Sequence, residues 1–189
     1  ILEGKKETGI TIMYMAEKLD DGDIISQREI VIEDTDHTGL LFDKLSEVGK
    51  NLLKDTLPSI INGTNERIVQ DETQVTYASN ISREQERIDW SKEARTIYNQ
   101  VRGLHPWPVA YTTFEDATFK IWWAQVGELS TSAEVGEVIR IEKDFFEVAT
   151  GDGGSLRILD CQPAGKKRMT AEEFLRGTGS KLKIGDRFQ

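Results

Sequence analysis

The sequence predicts an α/β segment followed by a small closed barrel of five short strands. Three observations carry that prediction. Two β-rich apolar runs and one long amphipathic helix fill the first eighty residues. Residues 71–88 are polar and charged, with few apolar anchors, as a linker is. Five short β-rich runs then recur at even spacing between residues 109 and 160. A length of 189 residues accommodates one large core or two small ones.

Residues 9–15 are apolar on both faces, as a buried strand is, and residues 24–32 resume that character after the turn Asp20-Asp21-Gly22-Asp23. Glu33-Asp34-Thr35-Asp36 supplies caps and negative charge for a helix start. Leu41, Leu45, Val48 and Leu52 recur at helical spacing, which predicts a helix from about 38 to 56. Pro58 is expected to end or restart it, and Asn62-Gly63 to stop it. Strand, loop, strand, helix is the closing portion of an α/β domain and too little to stand alone. The chain opens on Ile1-Leu2-Glu3 and is expected to be a piece of something longer.

Beyond the linker, Ser91 is expected to cap a short helix whose face is Ala94, Ile97, Tyr98 and Val101 and whose end is Gly103. His105-Pro106-Trp107-Pro108 is a stiff turn, because each proline forces its predecessor out of the helical region. Strands are expected at 109–114, 118–124, 136–141, 145–150 and 155–160, which suggests a barrel of the OB type. Thr170-Ala171-Glu172-Glu173 fits a capping box for a last helix.

Hydrophobic residues are 38% and charged residues 30% of the chain, a balance that excludes wholesale disorder. No run approaches the ~20 apolar residues of a membrane span. The single cysteine, Cys161, has no partner for an internal disulfide or a structural zinc site, so a reducing, cytoplasmic setting is the natural reading. The net charge of −9 argues against nucleic acid only if it is evenly spread, and it is not. Residues 1–80 hold 16 acidic and 8 basic residues, whereas from Asp160 onward there are 7 basic and 4 acidic ones. Two segments with different partners show this asymmetry, although solvated surfaces also fluctuate in charge.

Two constellations could carry chemistry. In Asp20-Asp21-Gly22-Asp23, mutual repulsion and partial withdrawal from water would let one carboxyl hold or relay a proton; an ordinary Asp-Gly turn has the same sequence. An EF-hand calcium site needs a longer ligand set. Lys166-Lys167-Arg168, with Arg83, Arg87 and Arg102, could neutralise phosphates, or could simply be solvated. Trp107, Trp122 and Trp123 could stack on bases, but aromatics in a small barrel are more often core. His37 reads as a capping or surface residue, His105 as a loop residue and Cys161 as a buried thiol.

Taken together, several stretches resemble the methionyl-tRNA formyltransferase family. They are Lys6-Glu7-Thr8-Gly9-Ile10-Thr11-Ile12-Met13, Leu19-Asp20-Asp21-Gly22-Asp23-Ile24, Gln70-Asp71-Glu72, Thr76-Tyr77-Ala78 and Arg87-Ile88-Asp89-Trp90. Further on come Arg102-Gly103-Leu104-His105-Pro106-Trp107-Pro108 and Leu159-Asp160-Cys161-Gln162-Pro163-Ala164-Gly165-Lys166-Lys167-Arg168-Met169. The family pattern commonly has Asn where His105 stands.

The resemblance implies a fold of α/β plus β: the C-terminal remnant of a Rossmann-like formyltransferase domain (1–70), a linker (71–88) and an OB-like five-stranded barrel with short helices (89–189). It implies transfer of a formyl group from 10-formyltetrahydrofolate to the amino group of initiator methionyl-tRNA, with no metal, by a cytoplasmic monomer. Of the family's catalytic Asn, His and Asp, it places only the Asp in this chain, at Asp20. The other two fall before Ile1, so the chain alone is expected to be inactive. Met15, Ala16 and Leu19 are implied for the pterin, and Arg83, Arg87, Arg102, Lys166, Lys167 and Arg168 for tRNA. The alternatives are a folate-dependent formyltransferase acting on another amine, such as an amino sugar, and a non-catalytic RNA-binding module.

Overall fold

A computed structural model describes residues 1–128 and 130–189. Its contacts divide the chain into an α/β unit, Lys5–Asn80, and a β unit, Ile81–Gln189 together with Ile1–Gly4.

In the α/β unit, β1 (Glu7–Met13) and β2 (Ile24–Val31) form an antiparallel pair, with Glu7 opposite Val31. Helix α1 (Thr38–Asn62) packs on both strands, and Leu41, Leu52 and Thr56 are its buried residues. Its cap is His37, whose Nδ1 accepts the Leu40 N–H at 3.2 Å, rather than a residue of 33–36. Asp36 is drawn elsewhere: its buried carboxylate takes Lys44 Nζ at 2.6 and 2.8 Å and the Glu33 N–H at 3.0 Å. The helix also runs through Pro58 to Asn62, six residues beyond the expected end at 56. Proline removes one N–H from the ladder, while the Thr56 hydroxyl donates to Leu52 O and the Ser59 hydroxyl to Thr56 O, both at 2.7 Å. Gly63 then stops the helix in the left-handed region at φ 67°, its N–H turned back to the last-turn carbonyls.

The β unit begins with α2 (Arg83–Glu86) and α3 (Ala94–Gly103). There follow β3 (Tyr111–Phe114), β4 (Ala117–Val126), β5 (Val138–Ile141), β6 (Phe146–Ala149), β7 (Ser155–Pro163), β8 (Met169–Thr170) and α4 (Ala171–Arg176). The strands form one antiparallel sheet in the order β3-β4-β7-β6-β5, with β8 on β7. The sheet curls, and residues 185–189 tie its edges together. Val138 N–H donates to Asp186 O (2.8 Å) and Phe188 N–H to Gly136 O (2.9 Å) on one side; Thr113 N–H donates to Gln189 O (2.8 Å) on the other. Phe188 thereby enters the core, stacked on Phe146 and Phe114 with centroids 5.7 and 4.7 Å away.

Ser91 does not cap α3. Its N–H and hydroxyl both turn back to Asp89 Oδ1, at 3.0 and 2.6 Å. The first N–H of α3, at Ala94, is instead taken at 3.3 Å by Asp152, from the turn between β6 and β7. The Thr150 hydroxyl first, then the N–H groups of Gly154 and Ala94, hold the Asp152 carboxyl below its ordinary value. Gly151 lies so close beneath residue 91 that an added Cβ would meet Ser91 O at 1.7 Å. At α4 the expected capping box forms, Thr170 and Glu173 each accepting the other's N–H.

Candidate functional site

The acidic loop between β1 and β2 is closed at its neck by the Tyr14 N–H donating to Asp23 O at 3.0 Å. Gly22 is buried against that neck, where a Cβ would sit 1.7 Å from Tyr14 O, so only glycine fits. Beyond the neck the loop stands out. Asp20 adopts the left-handed region at φ 58°, a conformation Asp tolerates better than most residues. Neither Asp20 nor Asp21 is withdrawn from water, unlike the partly buried carboxyl suggested by a loop between buried strands. Asp23 leaves the acidic cluster altogether, paired with Arg67 at 2.9–3.0 Å. Met15 and Leu19 are 100% and 93% exposed, and Ala16 is exposed between them, so the loop presents apolar side chains at the surface.

Residues 65–70 strap this loop from one side. Asn65 donates to the Tyr14 hydroxyl at 2.7 Å, and Arg67 lies 4.3 Å over the Tyr14 ring. Ile68 bridges Ile24 through two backbone bonds of 2.8 and 2.9 Å. Gln70 Nε2 reaches the carbonyls of both Asp20 and Gly22 at 2.8 Å. Sequence reasoning does not single out Arg67 or assign Gln70 this role, because no local spacing links them to a loop some fifty residues earlier.

The basic residues of the β unit differ in availability. Arg102 is 2% exposed, its guanidinium held by Asn99 Oδ1 at 2.9 and 3.0 Å, so burial removes it from the expected phosphate-binding set. Arg83 lies 3.9 Å over Tyr111 and pairs with Glu86. Arg87 is exposed beside an open cleft of about 530 Å³ floored by Trp90 and Phe188. Lys166 and Lys167 are exposed in the turn between β7 and β8, and among the described residues neither makes an ion pair. Arg168 donates from Nε to Asp160 at 2.7 Å and lies 4.7 Å over Trp122.

Trp122 occupies an irregularity in the β4–β7 pairing, where a bulge re-aims side chains. Its Nε1 donates to Gln162 Oε1 at 3.0 Å, and Gln162 Nε2 donates to Lys166 O at 2.8 Å, tying the basic turn to the sheet. His105 Nδ1 lies 3.0 Å from Trp122 O; a carbonyl only accepts, so Nδ1 carries the proton. Trp107 is 82% exposed, against the expectation that these aromatics are core, while Trp122 and Trp123 are half-buried. Burial, and then the neighbouring Asp160 charge, pushes the Cys161 thiol up to about 12, which makes it an inert core residue.

The α/β unit carries a strapped Leu-Asp-x-Gly loop and the β unit a curled antiparallel sheet, and sequence comparison says to which family such a chain belongs. The family model described as "Formyl transferase, C-terminal domain" matches residues 80–179, and that described as "Formyl transferase" matches residues 1–57. The chain belongs to the formyl transferase family.

Among curated relatives, it is 72% identical over all 189 residues to a methionyl-tRNA formyltransferase of Lysinibacillus sphaericus, and covers 60% of that protein. It is 55% identical over 185 residues to a methionyl-tRNA formyltransferase of Halalkalibacterium halodurans, covering 98% of this chain and 58% of the relative. The chain thus spans about 60% of the length of the curated relatives it matches.

Solved structures share the fold at low identity. HypX from Aquifex aeolicus has a TM-score of 0.73 at 17% identity, over 97% of this chain and 32% of that one. An N-formyltransferase from Helicobacter canadensis, in complex with folinic acid and dTDP-3-aminofucose, has a TM-score of 0.65 at 22% identity, over 86% of this chain and 58% of that one. Among the described residues, no helix is long and apolar enough to cross a membrane.

Proposed function

We propose that this chain acts, as part of an enzyme, in transferring a formyl group from 10-formyltetrahydrofolate to the amino group of initiator methionyl-tRNA. The observation that carries this reading is the 72% identity with a methionyl-tRNA formyltransferase, which covers all 189 residues and so both units. In the reaction the amine nitrogen attacks the formyl carbon, the carbonyl oxygen becomes an oxyanion, and the N10–formyl bond breaks. The amine must lose a proton and N10 must gain one.

Asp20 is the group in this chain that can carry that proton: its carboxylate is exposed on a loop whose backbone is held from both sides. The Asn and His implied by the resemblance have no substitute here. His37 caps α1 and His105 is bonded to the Trp122 carbonyl. The 189 residues alone are therefore expected to be inactive. Met15, Ala16 and Leu19 are read as the stretch whose backbone receives the polar edge of the pterin, and their exposure leaves that stretch open to it.

For tRNA, the curled sheet is read as an OB-like platform. Arg87, Lys166 and Lys167 contact phosphates directly, and Arg83 and Arg168 join after release from Glu86 and Asp160. In domain terms, residues 1–70 belong to the catalytic domain, 71–88 to a linker and 89–189 to the RNA-binding domain of a cytoplasmic monomer.

The test is formylation by the full-length parent with labelled 10-formyltetrahydrofolate, offering charged initiator tRNA and a nucleotide-linked amino sugar in parallel. Label on the aminoacyl-tRNA alone is expected. Label on the sugar alone would favour the amino-sugar alternative.

A further inference from the structure

The Asp20 loop is held by contacts that the hairpin itself does not supply. Asp20 and Gly22 flank Asp21 in the loop, where Asp20 takes φ 58° and Gly22 is wedged against Tyr14 O. Their carbonyls converge on one donor, Gln70 Nε2, at 2.8 Å each. The amide has two N–H bonds on that nitrogen, so a single side chain can satisfy both carbonyls and fix their separation. Gln70 is itself fixed: two residues earlier Ile68 is bonded twice to Ile24, and one residue before that Arg67 is paired with Asp23. The loop is therefore closed into a ring, with Gln70 as the clasp at the one end that carries Asp20.

We propose that Gln70 is a positioning residue for the reaction: by clasping the Asp20 and Gly22 carbonyls it holds the Asp20 carboxylate in the direction that proton transfer requires. This rests on the reading of Asp20 as the proton carrier. Gln70 touches no reacting atom. Its removal should leave substrate binding on the β unit intact and lower the fraction of time that Asp20 spends aimed at the substrate. An isosteric carboxylate cannot replace it, because Glu at this position presents a second acceptor to two carbonyls and repels them.

Two measurements test the proposal. The first uses the full-length parent and reads loop order without activity. Trypsin cleavage after Lys18, at the exposed tip, is expected to accelerate about tenfold in both Gln70→Ala and Gln70→Glu, as two bonds to one segment are lost. The thermal midpoint of the β unit should not change. The second uses the full-length parent, where kcat is expected to fall about tenfold in both variants, while KM for methionyl-tRNA stays within twofold. Wild-type cleavage rates and wild-type kcat in both variants would overturn the clasp. If Asp20→Asn is fully active, the reading of Asp20 fails instead; if Asp20→Asn is inactive while Gln70→Ala behaves as wild type, only the inference about Gln70 fails.

Discussion

The two units are built on opposite principles. The β unit closes on itself: Phe146, Ile121, Leu156, Ile158, Val138 and Val148 are fully buried, the rings of Trp90, Phe114, Phe146 and Phe174 meet around Phe188 and Phe119, and residues 185–189 seal the sheet edges. The α/β unit buries only Ile32, Leu41 and Leu52 among its apolar residues, yet exposes Met15, Leu19, Val31, Phe42, Ile61 and Val69. It is held instead by polar ties such as Asp36–Lys44, Asp23–Arg67 and the Gln70 clasp. The proposed function would give the two units separate tasks. A closed core makes a rigid platform, whereas a polar-strapped loop over a thin core leaves reactive and apolar groups in reach of a substrate.

The sharpest way to break this contrast is by unfolding. Urea is expected to melt the full-length parent in two steps, the domain that contains the α/β unit first. Phe146→Ala should lower the stability of the second step by about 3–5 kcal/mol, the range for a buried aromatic. Phe42→Ala, at a site 67% exposed, should leave both steps within about 0.5 kcal/mol of wild type. A single transition with equal effects would mean that the two units share one core.

The next effect is electrostatic. The double variant Lys166→Ala/Lys167→Ala should reduce the slope of log affinity for tRNA against log salt by about 2, one counterion for each exposed lysine, as measured by filter binding from 50 to 200 mM salt. Arg102→Lys should leave that slope unchanged, because Arg102 is buried against Asn99. A change at Arg102 equal to that at the lysines would reverse the assignment of the basic face.

The smallest effect concerns acid. Thr150 and the Ala94 and Gly154 amides hold the Asp152 carboxyl below 3.8 when folded, so its contribution is present above that pH and is lost as pH falls through the lowered value. Asp152→Asn should flatten the acid limb of β-unit stability below about pH 4 and leave its shape unchanged from pH 5 to 8. Acid melts followed by circular dichroism would show this.

What was legible in the sequence was local. Gly63 ends α1 because the left-handed cap is written in its own residue type, and the Thr170–Glu173 box spans only three residues. Strand positions in the β unit follow from apolar runs and turn residues. Contacts that fold distant segments together were not legible. Asp152 caps a helix that starts 58 residues earlier in the chain, and Gln70 clasps carbonyls 48 and 50 residues before it. The burial of Arg102 follows from Asn99 and Tyr98 beside it on a helix face that its charge made look exposed. In the loop, the turn at Asp20-Asp21-Gly22-Asp23 was legible from its residue types, but the Gln70 strap that ties its carbonyls was not.

The central claim is that Asp20 moves the proton on a loop separate from the surface that holds RNA. Its most direct test is Asp20→Asn in the full-length parent, with kcat for formylation and affinity for methionyl-tRNA measured on the same preparation. The expected result is a fall in kcat of about 10²–10⁴, the range for a lost general acid–base group, with tRNA affinity within twofold of wild type. Undiminished kcat in this variant would contradict the account.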